Sequence, residues 1–329
     1  MTDVAKLAGV SITTVSHVLN KTRSVSPDTV QSVQKAVAAC GYVPAKLARA
    51  EGTGTIGLAM SAMSNPYFGD VVHGIDRHAA AAGYSLLLSD THDDAQHELR
   101  AVGELLRRRV DAIILAPSGD GADAFRYTQQ VDVPLVVLDR FVDAPVDQIG
   151  VENIESTARL VDHLVDIGHT AIALITGRAG LSTTTERLRG FRAGLERNGL
   201  PSDPGYVVSG DSQAEQAHKA VEQVLALPQP PTALVVSNNR MTIGAMRALR
   251  DLGLNVPQDI SLVAFDDFEW SDLFHPSLTA VAQPTLAIGE QAMGLALSRI
   301  ADPTLPPRRV LIHPTFMHRE SCGCHEQRR

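Results

Sequence analysis

From residue 55 onward the chain alternates short apolar runs with amphipathic segments of helical length, and few folds accommodate that alternation. The runs lie at 56–60, 85–88, 112–115, 135–138, 172–175, 233–236 and 261–265, each only four or five residues long and free of charge. Runs of that size and purity suit strands buried on both faces of a sheet. Segments 67–82, 96–109 and 155–167 lie between them and space their apolar residues as helices do. Strands alternating with covering helices predict parallel, doubly wound sheets. So many units over the stretch 55–329 predict two such sheets, an α/β core of two lobes. The first lobe is expected to take 55–153 and 284–311, the second 154–283 and 312–329. In doubly wound sheets ligands bind beyond the carboxyl ends of the strands, so a binding site is expected where the two lobes face each other.

Residues 1–45 follow another pattern, that of a small all-α head. Val4, Leu7 and Ala8 form a first helical face, and Gly9-Val10 makes a turn. Ser11 can cap a second helix over 12–20. Ser26-Pro27-Asp28 starts a third, with a cap, a proline at the first helical position and an acid in the first turn. Val30, Val33 and Val37 line that helix and Gly41 ends it. On the second helix Ile12, Val15, Val18 and Leu19 share one arc, while Thr13, Thr14, Ser16, His17 and Asn20 share the other. The outward arc is made of small hydrogen-bonding side chains without a carboxylate. Such a face suits close contact with the floor of a DNA groove better than solvation. Residues 46–54 end in glycines and read as a hinge or linker.

Charge agrees with this division. Lys6, Lys21, Arg23, Lys35, Lys46 and Arg49 against Asp3 and Asp28 give residues 1–50 a charge of +4, which leaves −12 on the rest of a chain whose total is −8. A basic head on an acidic body fits a polyanion partner, although +4 is also within reach of an ordinary surface. No run approaches the roughly 18–20 apolar residues of a membrane span. The first residues show neither a charged and apolar leader nor a cleavage site, so a cytoplasmic protein without a membrane partner is expected. Cys40, Cys322 and Cys324 make no disulfide framework.

Taken in order, Asp3-Val4-Ala5-Lys6-Leu7-Ala8-Gly9-Val10-Ser11 and Thr14-Val15-Ser16-His17-Val18-Leu19-Asn20 resemble the head of the LacI/GalR family of bacterial repressors. The resemblance continues through Ser64-Asn65-Pro66-Tyr67-Phe68, Gly83-Tyr84, Arg109-Val110-Asp111, Glu186-Arg187-Leu188-Arg189-Gly190-Phe191, Phe265-Asp266-Asp267 and Gln283-Pro284, across nearly the whole chain. Residues 13–23 are most similar to purine-responsive members. The resemblance implies a homodimer on a near-palindromic double-stranded DNA operator, with two recognition helices entering successive major grooves. Position by position it makes Ile12, Thr13 and His17 candidates for base edges, and Ser11, Thr14, Asn20 and Arg23 candidates for phosphate or flanking contacts. At His17 most members carry Arg, and imidazole lacks the fork that reads guanine, so a different base preference is implied there.

Two departures stand out. Only Met1 and Thr2 precede Asp3 where the family opens with Thr-Ile-Lys, so the natural start is expected a few residues upstream. Glu51 stands two residues after Arg49, where the family places a leucine that wedges into the minor groove, and the linker is about three residues short.

The resemblance also implies a small effector between the lobes, lined by Tyr67, Phe68, Asp90, Arg140, Arg187, Asn238 and Asp266. Guanidinium and carboxylate groups suit hydroxyl pairs, and aromatic faces suit the apolar side of a sugar ring. Tyr67 and Phe68 as plain core residues, and Asp139-Arg140 as a surface pair, are the blander readings. Leu181 and Ser212 stand where purine-responsive members carry an arginine and a stacking aromatic, so a sugar or sugar derivative is favoured over a purine or nucleoside. A solute-binding protein without a DNA role is the remaining alternative, and the head argues against it.

Other signals lead nowhere at this level. Gly52-Thr53-Gly54-Thr55-Ile56-Gly57 matches a dinucleotide fingerprint but precedes a strand instead of following one. His313, His318, Cys322, Cys324 and His325 lack paired metal-ligand spacing and read as incidental. No catalytic motif is present, so neither an enzyme nor a cofactor or metal site is expected. The overall expectation is a transcriptional regulator, a repressor whose operator affinity responds to a small ligand.

Overall fold

The structure is a computed structural model that describes residues 2–20, 25–39, 52–61, 65–119 and 121–324. It divides into two compact units, Met1–Thr55 and Ile56–Arg329.

The first unit holds α1 (Thr2–Ala8), α2 (Ile12–Asn20) and α3 (Pro27–Ala39). Ser11 Oγ accepts the Thr14 backbone N–H at 3.1 Å, and Ser26 Oγ accepts that of Thr29 at 3.4 Å. Each satisfies one of the orphan donors at a helix start, an effect of about 1 kcal/mol. Gly9, at φ +67°, turns the chain between α1 and α2. Ala5, Val15, Val33 and Ala36 form the small core, with Ala8, Val10 and Val18 against it. Two expectations change. Leu7 is 60% exposed, and the smaller Ala5 takes the inward place on α1. Ile12 is 48% exposed, so it leaves the aliphatic arc in which the helical wheel put it. Gly41, the expected stop of α3, lies outside the described residues.

The second unit contains two six-stranded sheets. In chain order its elements are β1 (Thr55–Met60), α4 (Pro66–Ala81), β2 (Ser85–Asp90), α5 (Ala95–Arg107), β3 (Ala112–Leu115), α6 (Ala122–Gln129), β4 (Leu135–Leu138) and β5 (Asp147–Val151). There follow α7 (Ile154–Asp166), β6 (Ile172–Thr176), α8 (Ser182–Arg197), β7 (Val207–Ser209), α9 (Ala214–Leu225), β8 (Ala233–Val236), α10 (Asn239–Asp251) and β9 (Ser261–Phe265). The chain ends with β10 (Thr279–Ala282), α11 (Thr285–Ala301), β11 (Arg309–Ile312) and β12 (Thr315–Met317). One sheet runs β2-β1-β3-β4-β5-β11 and the other β7-β6-β8-β9-β10-β12. Pairings β1–β3, β3–β4, β4–β5 and β5–β11 are parallel in the first, and β6–β7, β6–β8, β8–β9 and β9–β10 in the second. The last pair, β10–β12, is antiparallel.

The apolar runs become the central strands. Every residue of β3, β4, β8 and β9 is buried, as parallel strands covered on both faces must be. Strands β5, β7, β10, β11 and β12 are shorter or more polar and carry no such run. β5 begins with Asp147 and Gln148, both buried because their polar atoms find partners. Gln148 exchanges hydrogen bonds with the backbone of Val142 and Ala144, and Asp147 binds two arginines.

The chain crosses between sheets after β5, after β10 and between β11 and β12. Each sheet therefore ends in a strand or helix borrowed from late in the sequence. Among the described residues no helix is long and apolar enough to cross a membrane.

Candidate functional site: the interlobe cleft and the reading helix

The carboxyl ends of eight strands converge on one cleft. It is lined by the loops after β1, β2 and β4 from one lobe, and by those after β6, β7, β8, β9 and β10 toward the other. Each loop places a side chain for a local reason. Asn65 caps α4 by accepting the Tyr67 N–H at 3.1 Å, with Pro66 at the first helical position, and so turns Tyr67 and Phe68 inward. Asn238 caps α10 in the same way, accepting from Met241 N–H at 2.8 Å. Arg187 rides on α8 one turn before Gly190, where a Cβ would come within 2.1 Å of the Ile154 carbonyl oxygen. Glycine there lets α8 press onto α7 and brings the guanidinium to the strand ends.

Two buried arginines and two buried aspartates dominate the cleft. Arg187 donates Nε–H to Asn153 Oδ1 at 2.8 Å and a second N–H to the Ser237 carbonyl. Its guanidinium lies 3.7 Å above the Phe265 ring centroid, and Nη2 stands 3.8 Å from Asp266 Oδ1. Gln283 Nε2 donates to the same Asp266 oxygen. Arg140 donates to the Pro117 carbonyl at 2.8 Å and to Asp93 Oδ1 at 2.5 Å. Tyr67 Oη donates to Asp139 Oδ1 at 2.9 Å.

Asp139 and Asp266 both occupy left-handed backbone, at φ 69° and 74°, as does Asp93 at φ 52°. Non-glycine residues are held there at a cost, and such positions gather at functional sites. Burial pushes the Asp266 carboxyl above the ordinary carboxylate range despite Arg187 and Gln283, with Asp139 adding to the rise. Burial, then the Asp139 and Asp266 charges, hold the Tyr67 phenol well above its ordinary value, so it remains a donor. Arg140 Nε, Ser237 Oγ and Gln283 Oε1 are sealed from solvent without a hydrogen-bond partner. Buried polar atoms left unmatched cost free energy and mark places where an occupant can bond.

Across the mouth, Arg178 Nη1 donates to the Asp93 carbonyl at 2.6 Å, linking the loop after β6 to the loop after β2. The enclosed space is about 50 Å³, room for a few waters. A larger groove of about 1080 Å³ lies elsewhere, between α10 and the turns at 253–258 and 275–276, and none of the expected site residues line it.

Of the residues expected from the sequence, Tyr67, Phe68, Arg140, Arg187, Asn238 and Asp266 line the cleft together. Asp90 does not. Its carboxylate accepts the His92 N–H at 2.8 Å and holds the loop after β2, while Asp93 reaches the cleft in its place. The left-handed pair His92 and Asp93 makes this turn, and two residues separate the two acids. Asp139 and Arg140 are not a surface pair but are 8% and 6% exposed. Asp139, Asn65 and Gln283 sit beside or inside the motifs quoted above, so position in those motifs was the available signal. Asn153 and Arg178 had none. Leu181 and Ser212 both line the wall.

On α2, Ser11, Ile12 and Thr13 are exposed, and Thr14 and His17 are half-buried. Val15 faces inward at 0% exposure. The side chain of Asn20 lies outside what is described, as do Arg23, Arg49 and Glu51. No hinge geometry can therefore be set beside the linker expectation.

A helix-turn-helix head followed in the same chain by two doubly wound lobes around a cleft defines a class, the DNA-binding transcriptional regulators with a binding-protein core. Residues 1–45 match the bacterial regulatory proteins of the lacI family, and residues 161–322 match the periplasmic binding protein-like domain. The chain is 36% identical over 326 residues to the ribose operon repressor of Escherichia coli K12, covering 98% of this chain and 99% of that one. It is 35% identical over 324 residues to the HTH-type transcriptional repressor PurR of Aliivibrio salmonicida, covering 97% of each. Among solved structures, the lac repressor dimer bound to operator and the anti-inducer ONPF superposes with a TM-score of 0.74 at 31% identity, over 97% of this chain and 98% of that one. A transcriptional regulator CelR–cellobiose complex gives a TM-score of 0.76 at 29% identity, over 97% and 98%. The chain belongs to the lacI family of bacterial regulatory proteins.

Proposed function

We propose that this regulator is a homodimeric repressor whose operator affinity is set by a small neutral sugar bound in the interlobe cleft. The observation that carries the sugar reading is the pairing of Asp139 and Asp266 with Arg140 and Arg187 around one enclosed space. A polyol offers donors to the carboxylates and acceptors to the guanidiniums at once, whereas an anionic ligand would meet two acids. Among the described residues the aromatic lining is Tyr67 and Phe68, and Leu181 and Ser212 give a flat base nothing to stack on. The relative named for the ribose operon supports a pentose as the first candidate. On the head, Ile12, Thr13 and His17 are assigned to base edges, and Ser11, Thr14, Asn20 and Arg23 to phosphates and flanks. Effector binding changes the closure of the lobes, and the dimer then presents its two heads differently.

A thermal-shift and calorimetric screen of pentoses, hexoses, hypoxanthine, guanine and nucleosides tests the effector. A saturable stabilisation by a sugar, with a parallel change in affinity for a selected operator duplex, is expected. Stabilisation by purines alone overturns the sugar reading. Selection from random duplexes tests the head: wild-type protein enriches a near-palindrome, and His17→Arg changes the preferred base. Enrichment identical in both proteins removes His17 from the base-reading set.

A further inference from the structure

Away from the cleft, the end of the chain brings metal-binding chemistry together. His318, Cys322 and Cys324 follow β12, and His163 stands on α7, far upstream in sequence. Their ligand atoms all lie within 4.8 Å of one another. Cys322 Sγ is 3.4 Å from Cys324 Sγ and 3.4 Å from His318 Nε2, and His318 Nε2 is 2.5 Å from Cys324 Sγ. Around a tetrahedral zinc ion, ligand atoms stand about 3.3–3.8 Å apart, given Zn–S of about 2.3 Å and Zn–N of about 2.0–2.1 Å. The two separations from Cys322 Sγ fall in that range and the one between His318 and Cys324 is shorter, and the two thiols and two imidazoles are the donor set of structural zinc sites.

We propose that His163, His318, Cys322 and Cys324 form a tetrahedral site for a borderline-soft divalent cation, zinc first, which fastens the end of the chain to α7. This reading departs from the sequence expectation of an incidental tail set. Spacing within the tail could not reveal a fourth ligand on a distant helix; His313 is not in the cluster, and His325 lies outside the described residues.

Three observations beyond proximity support the site. His163 Nε2 is sealed from solvent without a hydrogen-bond partner, so the ring that joins the cluster is not held by bonds at both nitrogens. The tail backbone is held in place independently of the sulfurs. Ser321 N–H donates to the Ser277 carbonyl at 2.9 Å, Leu262 N–H to the Ser321 carbonyl at 2.9 Å, and Ser261 Oγ to the Cys322 carbonyl at 2.9 Å. The ligands are thus presented by a fixed frame, as metal sites require. Gly323, at φ +81°, folds the Cys-Gly-Cys segment so that both sulfurs face one point. Neither cysteine is in a disulfide, so both sulfurs can bind as thiolates. Thiolate together with imidazole favours zinc over calcium or magnesium, which take oxygen donors.

The test uses the full-length, tag-free protein purified under reducing conditions without chelator. Elemental analysis is expected to find about one zinc per chain. His163→Gln and the double variant Cys322→Ser/Cys324→Ser should lower it to background. Wild-type protein stripped and refilled with Co²⁺ should show the strong visible bands of tetrahedral cobalt and a thiolate-to-cobalt charge-transfer band. Zinc content equal in wild type and variants overturns the proposal. So does a weak octahedral cobalt spectrum, or an intact mass short by two hydrogens that maps to a Cys322–Cys324 disulfide. Should the double variant fail to fold, the cobalt spectra of wild type and His163→Gln decide alone. None of these readouts depends on the effector or the operator.

Discussion

Asp147 and Asp266 make an instructive pair. Both sit at the end of a core strand, both are nearly sealed from solvent, at 1% and 4% exposure, and both lie beside arginine. Their carboxyls nevertheless move in opposite directions. Burial raises Asp147, but hydrogen bonds from Arg308 and Arg299 outweigh it and hold the group below its ordinary value. At Asp266 burial wins. Geometry explains the difference. Asp147 accepts from Arg308 N–H at 2.9 Å, from Arg308 Nε–H at 3.0 Å and from Arg299 Nε–H at 3.0 Å. Arg187 stands 3.8 Å from Asp266, too far for a hydrogen bond, and its best donors are spent on Asn153 and Ser237. Neither a nearby cation nor the neutral donor Gln283 settles a buried carboxylate; charged donors in direct hydrogen-bonding contact do. The first acid is closed as part of the scaffold, and the second keeps capacity for donors that a ligand would bring.

The largest expected effect follows from breaking the closed member. Asp147→Asn should destabilise the core by roughly 3–5 kcal/mol, because it strands two partly buried guanidiniums. Urea unfolding checks this, and a change below about 0.5 kcal/mol would erase the contrast. The pH dependence has a definite sign. A depressed folded-state pKa contributes stability that is present above the unfolded value of about 3.9 and is lost as pH falls through the folded value. Wild-type stability should therefore drop in strong acid by an amount that Asp147→Asn does not show.

Next in size is the open member. Asp266→Asn should weaken effector binding by about 2 kcal/mol, some thirtyfold, the scale of a hydrogen bond to a charged group. The unliganded protein should be no less stable than wild type, because a raised pKa means the ionised form is disfavoured in the fold. That penalty grows as pH rises from the unfolded value through the folded one, opposite in sign to Asp147. Calorimetric titration with the stabilising sugar, beside urea melts at several pH values, separates the two. Lost stability with retained binding would place Asp266 in the scaffold. The smallest effect is at Tyr67→Phe, which removes the 2.9 Å bond to Asp139 and should cost about 1 kcal/mol of effector affinity, roughly fivefold. An unchanged affinity would show that Asp139 needs no fixed orientation.

Much of this arrangement could be read from residue order. Uninterrupted apolar runs marked β3, β4, β8 and β9, because a strand buried on both faces has no polar side to alternate with. The same physics hid β5, whose Asp147 is buried through two arginines, Arg299 and Arg308, that no local window contains, while Gln148 is satisfied by the backbone of the loop just before it. The cleft was legible where a motif carried it, as with Tyr67, Phe68, Arg187, Asn238 and Asp266. It was not legible after β2, where a left-handed turn at His92 and Asp93 decides which of two nearby aspartates turns inward. On the head, the helical wheel placed Val15 correctly but misplaced Ile12, since a wheel has no knowledge of where the neighbouring helices stop. The tail cluster is the extreme case, with one ligand contributed by another element altogether.

The bond from Arg178 to the Asp93 carbonyl has a consequence in time. A ligand that needs more room than the roughly 50 Å³ free in the cleft has to break that bond on its way in or out. Exchange therefore waits on the opening of the lobes, and arrival and departure share that one gate. A strengthened gate slows both without altering equilibrium occupancy when it acts only on the passage between states. A cell reading this molecule would then receive a signal smoothed over the dwell time of the ligand, with brief fluctuations in effector concentration filtered out before they reach the operator.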